Sequence, residues 1–446
     1  MKVAIVGSGI AGLGAAHALR GKAEVSLLEA GNYFGGHTHT VDISLPATVG
    51  ASVFAGPRPA QQRSAGAKVS YGIDTGFLVF NERTYPQLIA LFAELGVPTA
   101  RSDMSFSVQA PAAKGQRPLE WSGSSLNTVF AQRRNLLNPR FLRMLRDVMR
   151  FNQLATGIAR RNAEGELMQP LSAFLDQHQL STEFRDWYFL PMLGCIWSCP
   201  TDQMLQFPVA TMIRFCHNHG LIQVTNRPQW WTVNGGARQY VEKIVADIAD
   251  KRLNSPVQRV VRDALGVGVT VNGQTERFDK LILASHADQS LGLLGDASPL
   301  EREVLGAIRY QPNRAVLHTD TSVLPKVRRA WAAWNYERAP DVHQDSAPVC
   351  LHYLINMLQP LPFDTPVVVS LNPLHAINPL FIHGSFDYAH PVFDLAAIQA
   401  QGQLPQLQGR QNTYFCGAWT GYGFHEDGLK SGLAAARALL QANTPR

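Results

Sequence analysis

Met1-Lys2-Val3-Ala4-Ile5-Val6-Gly7-Ser8-Gly9-Ile10-Ala11-Gly12 opens the chain as an apolar run feeding a G-x-G-x-x-G turn, and Val25-Ser26-Leu27-Leu28-Glu29-Ala30 follows it. The order strand, glycine turn, helix, strand makes one βαβ unit of a parallel sheet, so the fold class is α/β. Gly7 permits the tight turn, Gly9 lets backbone approach a pyrophosphate, and Gly12 lets the helix pack close to the strand. Helix N–H groups then face the phosphates. Glu29 lies about twenty residues beyond Gly9, where a carboxylate accepts from an adenosine ribose hydroxyl, a bond of about 1.5–3 kcal/mol. The unit is built for a dinucleotide.

A chain of 446 residues is too long for one ordinary core and suits two lobes. No apolar run reaches the length of about eighteen residues that spans a bilayer, and no export signal precedes the first strand, so a cytoplasmic protein is expected. Five cysteines form an odd, sparse set that suits a reducing compartment. Cys195 and Cys199 have three residues between them rather than the two of a redox pair or most zinc knuckles. His37 and His39, like His217 and His219, lack the helical spacing of a metal site, so no metal is expected.

Gly35-Gly36 makes a second glycine turn before a strand over 39–44. From Pro46 to about Lys68 the chain is rich in Ala, Gly, Pro, Gln and Ser, which predicts a mobile surface insertion. A strand over 69–74 pairs with 39–44 across it, and 84–95 reads as a helix with Pro86 in its first turn and Gly96 at its end. Arg133, Arg134, Arg140, Arg143, Arg146 and Arg150 interleave with apolar residues, at helical spacing from Pro139 onward. Two readings stay open: a solvated helix face, or peripheral docking on anionic lipid at the inner membrane face, with about 1 kcal/mol per arginine. No stacking aromatics accompany the arginines, so nucleic acid is not expected. Strands follow at 257–261, 266–271 and 281–284, then a strand over 412–417 and an alanine-rich helix over 428–440.

The chain resembles the flavin-containing amine oxidase and phytoene desaturase superfamily nearly end to end. Four stretches carry the resemblance: Gly7 to Gly12 with Glu29-Ala30 and Gly35-Gly36; Asp74-Thr75-Gly76; Gly235-Gly236 followed by Val257 and Ala284; and Phe415-Cys416-Gly417-Ala418-Trp419 with Gly428-Leu429-Lys430-Ser431-Gly432. It implies a discontinuous, Rossmann-like FAD-binding domain (1–80, 225–290 and 405–446) and an α+β substrate domain (81–224 and 291–404), amine-oxidase-like in arrangement. It also implies FAD, held by Gly7, Gly9, Ile10, Ala11, Gly12, Glu29, Ala30, Gly35, Gly36, His37, Thr38, Val257, Ala284, Gly417, Ala418, Asp427, Gly428 and Leu429; Cys416 lies in the last motif, but a thioether requires its sulfur at the ring edge, so noncovalent FAD is expected. Two positions depart from the superfamily pattern: His37 replaces an arginine and Ala418 an acid, so phosphate and ribityl contacts are expected from backbone. Arg314 falls at about the place of the amine oxidases' lysine and cannot serve as a base, which disfavours amine oxidation.

A narrower resemblance lies in Ser285-His286-Ala287-Asp288-Gln289, Leu317-His318-Thr319-Asp320, Trp334-Asn335-Tyr336 and Gly421-Tyr422-Gly423-Phe424-His425-Glu426-Asp427-Gly428. These are similar to bacterial FAD-binding proteins that accompany lipid methyltransferases of the cyclopropane synthase type. The resemblance implies a phospholipid acyl substrate and a lipid methyltransferase partner.

With a helix beginning at Gly428 abutting the cofactor, Tyr422, His425 and Glu426 are expected beside the isoalloxazine as catalytic candidates. An imidazole titrating near 6.5 suits proton transfer or a hydrogen bond to a flavin carbonyl, and both roles stay open for His425. Tyr422 either cages the substrate or packs behind the flavin. Trp197, Trp231, Tyr353, Asn356 and Met357 are candidates for a substrate tunnel, with core packing the alternative for each. The expected function is an FAD-dependent oxidoreductase taking hydride from an apolar substrate, by desaturation, oxidation or isomerisation of a lipid acyl chain. The rivals are a flavin amine oxidase and an FAD-bound accessory subunit of a lipid-modifying complex.

Overall fold

A computed structural model describes residues 1–48, 54, 67–111, 117–161, 169–223, 227–340 and 348–442. Strand Lys2–Val6, helix Ile10–Leu19 and strand Glu24–Leu28 form the opening unit as read. Lys2–Val6 is the middle strand of a five-stranded parallel sheet ordered Asp250–Arg252, Glu24–Leu28, Lys2–Val6, Lys280–Leu283, Thr413–Phe415. Three of these strands come from far along the chain, so this sheet is assembled from separated segments.

A parallel sheet must be covered on both faces. Val3, Ile5 and Leu27 pack toward helices Ile10–Leu19 and His425–Ala442, while Ala4, Val6 and Leu28 pack toward an antiparallel sheet of Val257–Asp263, Gly266–Val271 and Gln274–Phe278. The two helices on the first face meet at glycines. A Cβ on Gly432 would lie 2.0 Å from the Ala11 carbonyl oxygen, and one on Gly428 would lie 2.7 Å from Ile10 Cγ2.

The C-terminal helix begins at His425, three residues before the expected Gly428. Asp427 causes this: its carboxylate accepts from the N–H groups of Tyr422 (3.0 Å) and Phe424 (3.1 Å), and Gly423 turns with φ +91°. The hairpin Thr40–Pro46 with Lys68–Asp74 forms in the expected pairing. Its ends, with the Ala47 N–H donating to Ala67 O at 2.9 Å, take up both flanks of the stretch assigned to a surface insertion. Residues 49–53 and 55–66 of that insertion lie outside the described residues.

The other lobe rests on a seven-stranded sheet ordered Ile382–Val392, Arg309–His318, Val368–Leu371, Cys350–Leu354, Trp334–Glu337, Phe106–Ala110, Leu119–Ser122. Helices between residues 139 and 218 pack beside it. The longest, Pro139–Arg160, is capped by the Asn138 side chain and buries Phe141, Met144, Phe151 and Ala155. Its basic face is partly neutralised: Arg140 and Arg143 meet Glu183 at 2.6 and 3.8 Å, and Arg146 and Arg150 meet Asp147 at 3.5 and 3.0 Å. Arg133 and Arg134 precede the helix in the turn Arg133–Leu137. Among the described residues no helix is long and apolar enough to cross a membrane.

Candidate functional site

A continuous cavity of about 590 Å³ runs from the first glycine turn into the second lobe. At its glycine-turn end Gly7 has φ +100°, and a Cβ there would stand 3.0 Å from Ala284 O. A Cβ on Gly12 would fall 1.9 Å from Gly7 O. Helix Ile10–Leu19 starts at Gly9 without a side-chain cap or an acidic residue in its first turn, so its first N–H groups are left for an anion. Glu29 ties the turns together. Its Oε2 accepts from Ser8 N at 3.0 Å and Ser8 Oγ at 2.5 Å, and its Oε1 accepts from Gly31 N at 2.8 Å. Ser8 Oγ in turn accepts from Gly35 N at 3.1 Å.

The middle of the cavity is lined by four imidazoles, His37, His286, His390 and His425, with Tyr388 and Tyr310. His37 lies 5.3 Å from His390 and 6.2 Å from His286, centre to centre, and 5.0 Å from Tyr388. Asn372 Nδ2 donates to Asn313 Oδ1 (2.7 Å), and Asn313 Nδ2 donates to His390 Nδ1 (3.0 Å), which leaves the His390 proton on Nε2. Burial pushes His390 down to about 4, and burial with its imidazole neighbours holds His37 well below the usual range. Both rings are therefore neutral. His37 Nε2 is buried without a hydrogen-bond partner. A buried polar atom facing a cavity between two glycine turns fits a bound polar cofactor.

His425 lines the same region, stacked on Phe77 at 3.8 Å. Its Nε2 is 3.0 Å from Thr38 Oγ1 and 2.8 Å from the Tyr240 hydroxyl, and those two hydroxyls bond each other. What surface the ring keeps faces the cavity, and burial pushes its pKa down to about 3. The ring is therefore a neutral imidazole, well below the near-6.5 titration of a free histidine.

Of the expected cofactor residues, Gly7, Gly9, Ile10, Ala11, Glu29, Ala30, Gly36, His37, Val257, Ala284, Gly417 and Ala418 line the cavity. Gly12, Gly35, Thr38, Asp427, Gly428 and Leu429 stand behind that lining and shape it. Two catalytic candidates fall elsewhere. Glu426 accepts from Gln87 N (2.9 Å) and Leu88 N (3.0 Å), capping helix Pro86–Leu95, because the early helix start turns it away from the cavity. Tyr422 packs near Phe215, outside the lining, and its carbonyl accepts from Trp197 Nε1 at 3.3 Å. Of the tunnel candidates only Tyr353 lines the cavity: Trp231 binds Glu82 near the surface, Asn356 is tied to backbone at 363–367, and Trp197 and Met357 serve as packing.

Arg314 is also corrected. It is exposed and donates to Ser385 Oγ at 3.0 Å, because the alternation of strand Arg309–His318 turns Asn313 inward instead. Among the described lining residues there is no lysine or arginine, and Glu29 is the one carboxylate. The far end is apolar and aromatic, with Met104, Ile196, Phe215, Leu221, Val369 and Leu371. Its polar groups include the Trp334 Nε1, buried without a partner, the Tyr353 hydroxyl, bonded to the Ser198 side chain, and His219, whose Nδ1 is 3.1 Å from the Phe215 carbonyl oxygen and which burial pushes down to about 4. Sequence reasoning missed His390, Tyr388 and Trp334 as site residues. Phe386, Tyr388 and His390 alternate along one strand, a period-2 signal that could have found the first two.

The model of the flavin containing amine oxidoreductase family matches residues 10–326. Similar solved structures include a fatty acid isomerase producing CLA from P. acnes, 16% identical, covering 97% of both chains with a TM-score of 0.60. Others are a putative protoporphyrinogen oxidase from Exiguobacterium sp. 255-15 (15%, 99% of both, 0.64) and the cyclohexylamine oxidase of Brevibacterium oxydans IH-35A (16%, 99% of both, 0.60). At these identities the likeness is one of fold. No curated protein matches the chain by sequence.

Proposed function

Because the chain belongs to the flavin-containing amine oxidoreductase family, we propose that it is an FAD-dependent oxidoreductase that oxidises or isomerises an acyl-chain-bearing apolar substrate. The observation that carries the substrate class is the far end of the cavity, apolar and aromatic, with no charged side chain among the described lining residues beyond Glu29 at the opposite end. A charged head group has no counterion there, whereas an acyl chain gains about 25 cal/mol per Å² of apolar surface buried. Trp334 Nε1 offers one directed donor to a carbonyl on such a chain.

The start of helix Ile10–Leu19 would hold the pyrophosphate, Glu29 a ribose, and the backbone at Val257 and Ala284 the adenine. His37 and His390 offer neutral imidazole edges to polar atoms further along. Bound FAD supplies the two-electron acceptor. Noncovalent binding is supported by Cys416, which is fully buried outside the lining, and by Cys195, which burial keeps protonated. His425, neutral and pinned by Thr38 and Tyr240, holds the wall beside Phe77.

The test is product analysis. FAD-loaded protein is incubated with unsaturated phospholipid and an electron acceptor, and the acyl chains are read by mass spectrometry with double-bond localisation. Loss of two hydrogens or a moved double bond is expected; unchanged chains together with peroxide formed from amines would overturn the substrate class.

A further inference from the structure

Behind the apolar wall of the cavity, a strand pair presents donors that the flavin site does not use. Trp334–Glu337 and Cys350–Leu354 run antiparallel, with Glu337 opposite Cys350 and Asn335 opposite His352. Side chains alternate along strands, so Glu337, Cys350 and His352 share one face, while Trp334 and Tyr353 on the other line the cavity. Cys350 Sγ lies 3.4 Å from His352 Nε2 and 3.7 Å from Glu337 Oε2, and His352 Nε2 lies 3.0 Å from that same oxygen. Around a tetrahedral Zn²⁺, with metal–sulfur about 2.3 Å and metal–nitrogen or –oxygen about 2.0–2.1 Å, ligand atoms stand about 3.3–3.6 Å apart. The three observed edges lie within a few tenths of an ångström of that span.

The outer partners are also in place. The Asp320 N–H donates to His318 Nδ1 at 3.1 Å, so the proton of His318 is on Nε2, which donates to Ser370 Oγ at 2.7 Å. Ser370 Oγ is also 2.7 Å from His352 Nδ1. With Ser370 Oγ accepting from His318, its hydroxyl donates to His352 Nδ1 and the His352 Nε2–H donates to Glu337; on metal binding that proton passes to Nδ1, where Ser370 Oγ turns to accept it, and the freed Nε2 lone pair meets the thiol and the carboxylate. Cys350 and His352 are buried, whereas Glu337 reaches the surface beside the exposed His375, whose Nε2 is 3.4 Å from Glu337 Oε1.

We propose that Glu337, Cys350 and His352 bind a Zn²⁺ ion, with the fourth position on the solvent side, beside His375. The mixed S, N and O donor set suits this borderline-soft ion. On binding, the Cys350 thiol gives its proton to solvent as the zinc–sulfur bond forms, while His352 and Glu337 donate lone pairs, with no change of oxidation state. The ion joins two neighbouring strands of the sheet that carries Trp334 and Tyr353, and so stiffens the wall of the substrate end.

Flavin-loaded protein is dialysed against Zn²⁺, then against metal-free buffer, and its metal content is read by inductively coupled plasma mass spectrometry. A parallel sample carries Co²⁺ and is read for tetrahedral ligand-field bands to the red of the flavin absorption. About one equivalent per chain is expected, lost in Cys350→Ser and His352→Gln, with Ser370→Ala weakening affinity about 10- to 100-fold. Glu337→Gln, on the exposed side, serves if the buried variants fail to hold flavin, and it too is expected to lose the metal. No metal retained by the unaltered chain, or equal retention in the ligand variants, overturns the site.

Discussion

Gly432→Ala should loosen the cofactor without touching it. Its Cβ would lie 2.0 Å from the Ala11 carbonyl oxygen, whereas ordinary contact begins at 3.4 Å, so about 1.4 Å must be recovered. The obstacle is backbone, in the first turn of helix Ile10–Leu19, and no rotamer can relieve it. The two helices must part, which carries the N–H groups of Ile10 and Ala11 away from the proposed pyrophosphate position. Overpacking of this kind costs about 1–3 kcal/mol. Expressed wholly on cofactor affinity, that is roughly a 5- to 150-fold rise in Kd. The assay is fluorescence titration of apoprotein with FAD, paired with a thermal melt. Gly402→Ala is the control: it lies in helix Leu395–Gln403 with nothing within 4 Å of the added carbon, and should be neutral or slightly stabilising. If Gly432→Ala binds FAD within twofold of the unaltered chain and melts with it, the reasoning about this helix contact is wrong.

Glu426→Ala removes the acceptor for Gln87 and Leu88 N–H. About 1–2 kcal/mol of stability should be lost in calorimetry while flavin reduction stays unchanged. His425, with a folded pKa of about 3 against about 6.5 unfolded, binds fewer protons when folded. Stability should therefore fall as pH drops from about 6.5 toward 3, and His425→Gln should flatten that slope in melts across the window. Asp147 works through the opposite kind of group. Burial opposes its charge, yet the Ser181 backbone and the Arg150 guanidinium win and hold it below the usual carboxylate range. Its contribution is present above about pH 4 and lost as pH falls through the folded pKa. Asp147→Asn should cost about 1–3 kcal/mol at neutral pH, with the difference shrinking in acid.

The nucleotide lobe was legible because its signals are local. Gly7, Gly9, Gly12 and Glu29 fall within one βαβ unit, and the hairpin that joins 40 to 74 announces itself by alternation on both sides. The site's interior was less legible, since its residues meet only in space. Glu426 is claimed by N–H groups more than three hundred residues away, which no periodicity could show. Arg314 and Asn313 are neighbours, and which one faces inward depends on strand register, set here by Tyr388 opposite Asn313 and Asp387 opposite Arg314. The C-terminal helix starts three residues before the expected Gly428 because Asp427 caps the turn before its own helix, a contact that spacing does not show. Cys350 and His352 sit two apart, a strand spacing rather than a helical metal motif, and Glu337 joins them only through the antiparallel pairing.

The most direct measurement is the anaerobic absorbance of the FAD-loaded protein in stopped flow, mixed with vesicles of unsaturated phospholipid and, separately, with a panel of primary amines and diamines. Loss of flavin absorbance with vesicles, lasting for an oxidation or transient for an isomerisation, is expected, with the amines inert. Bleaching by amines alone, or by neither, would contradict acyl-chain redox chemistry at this site.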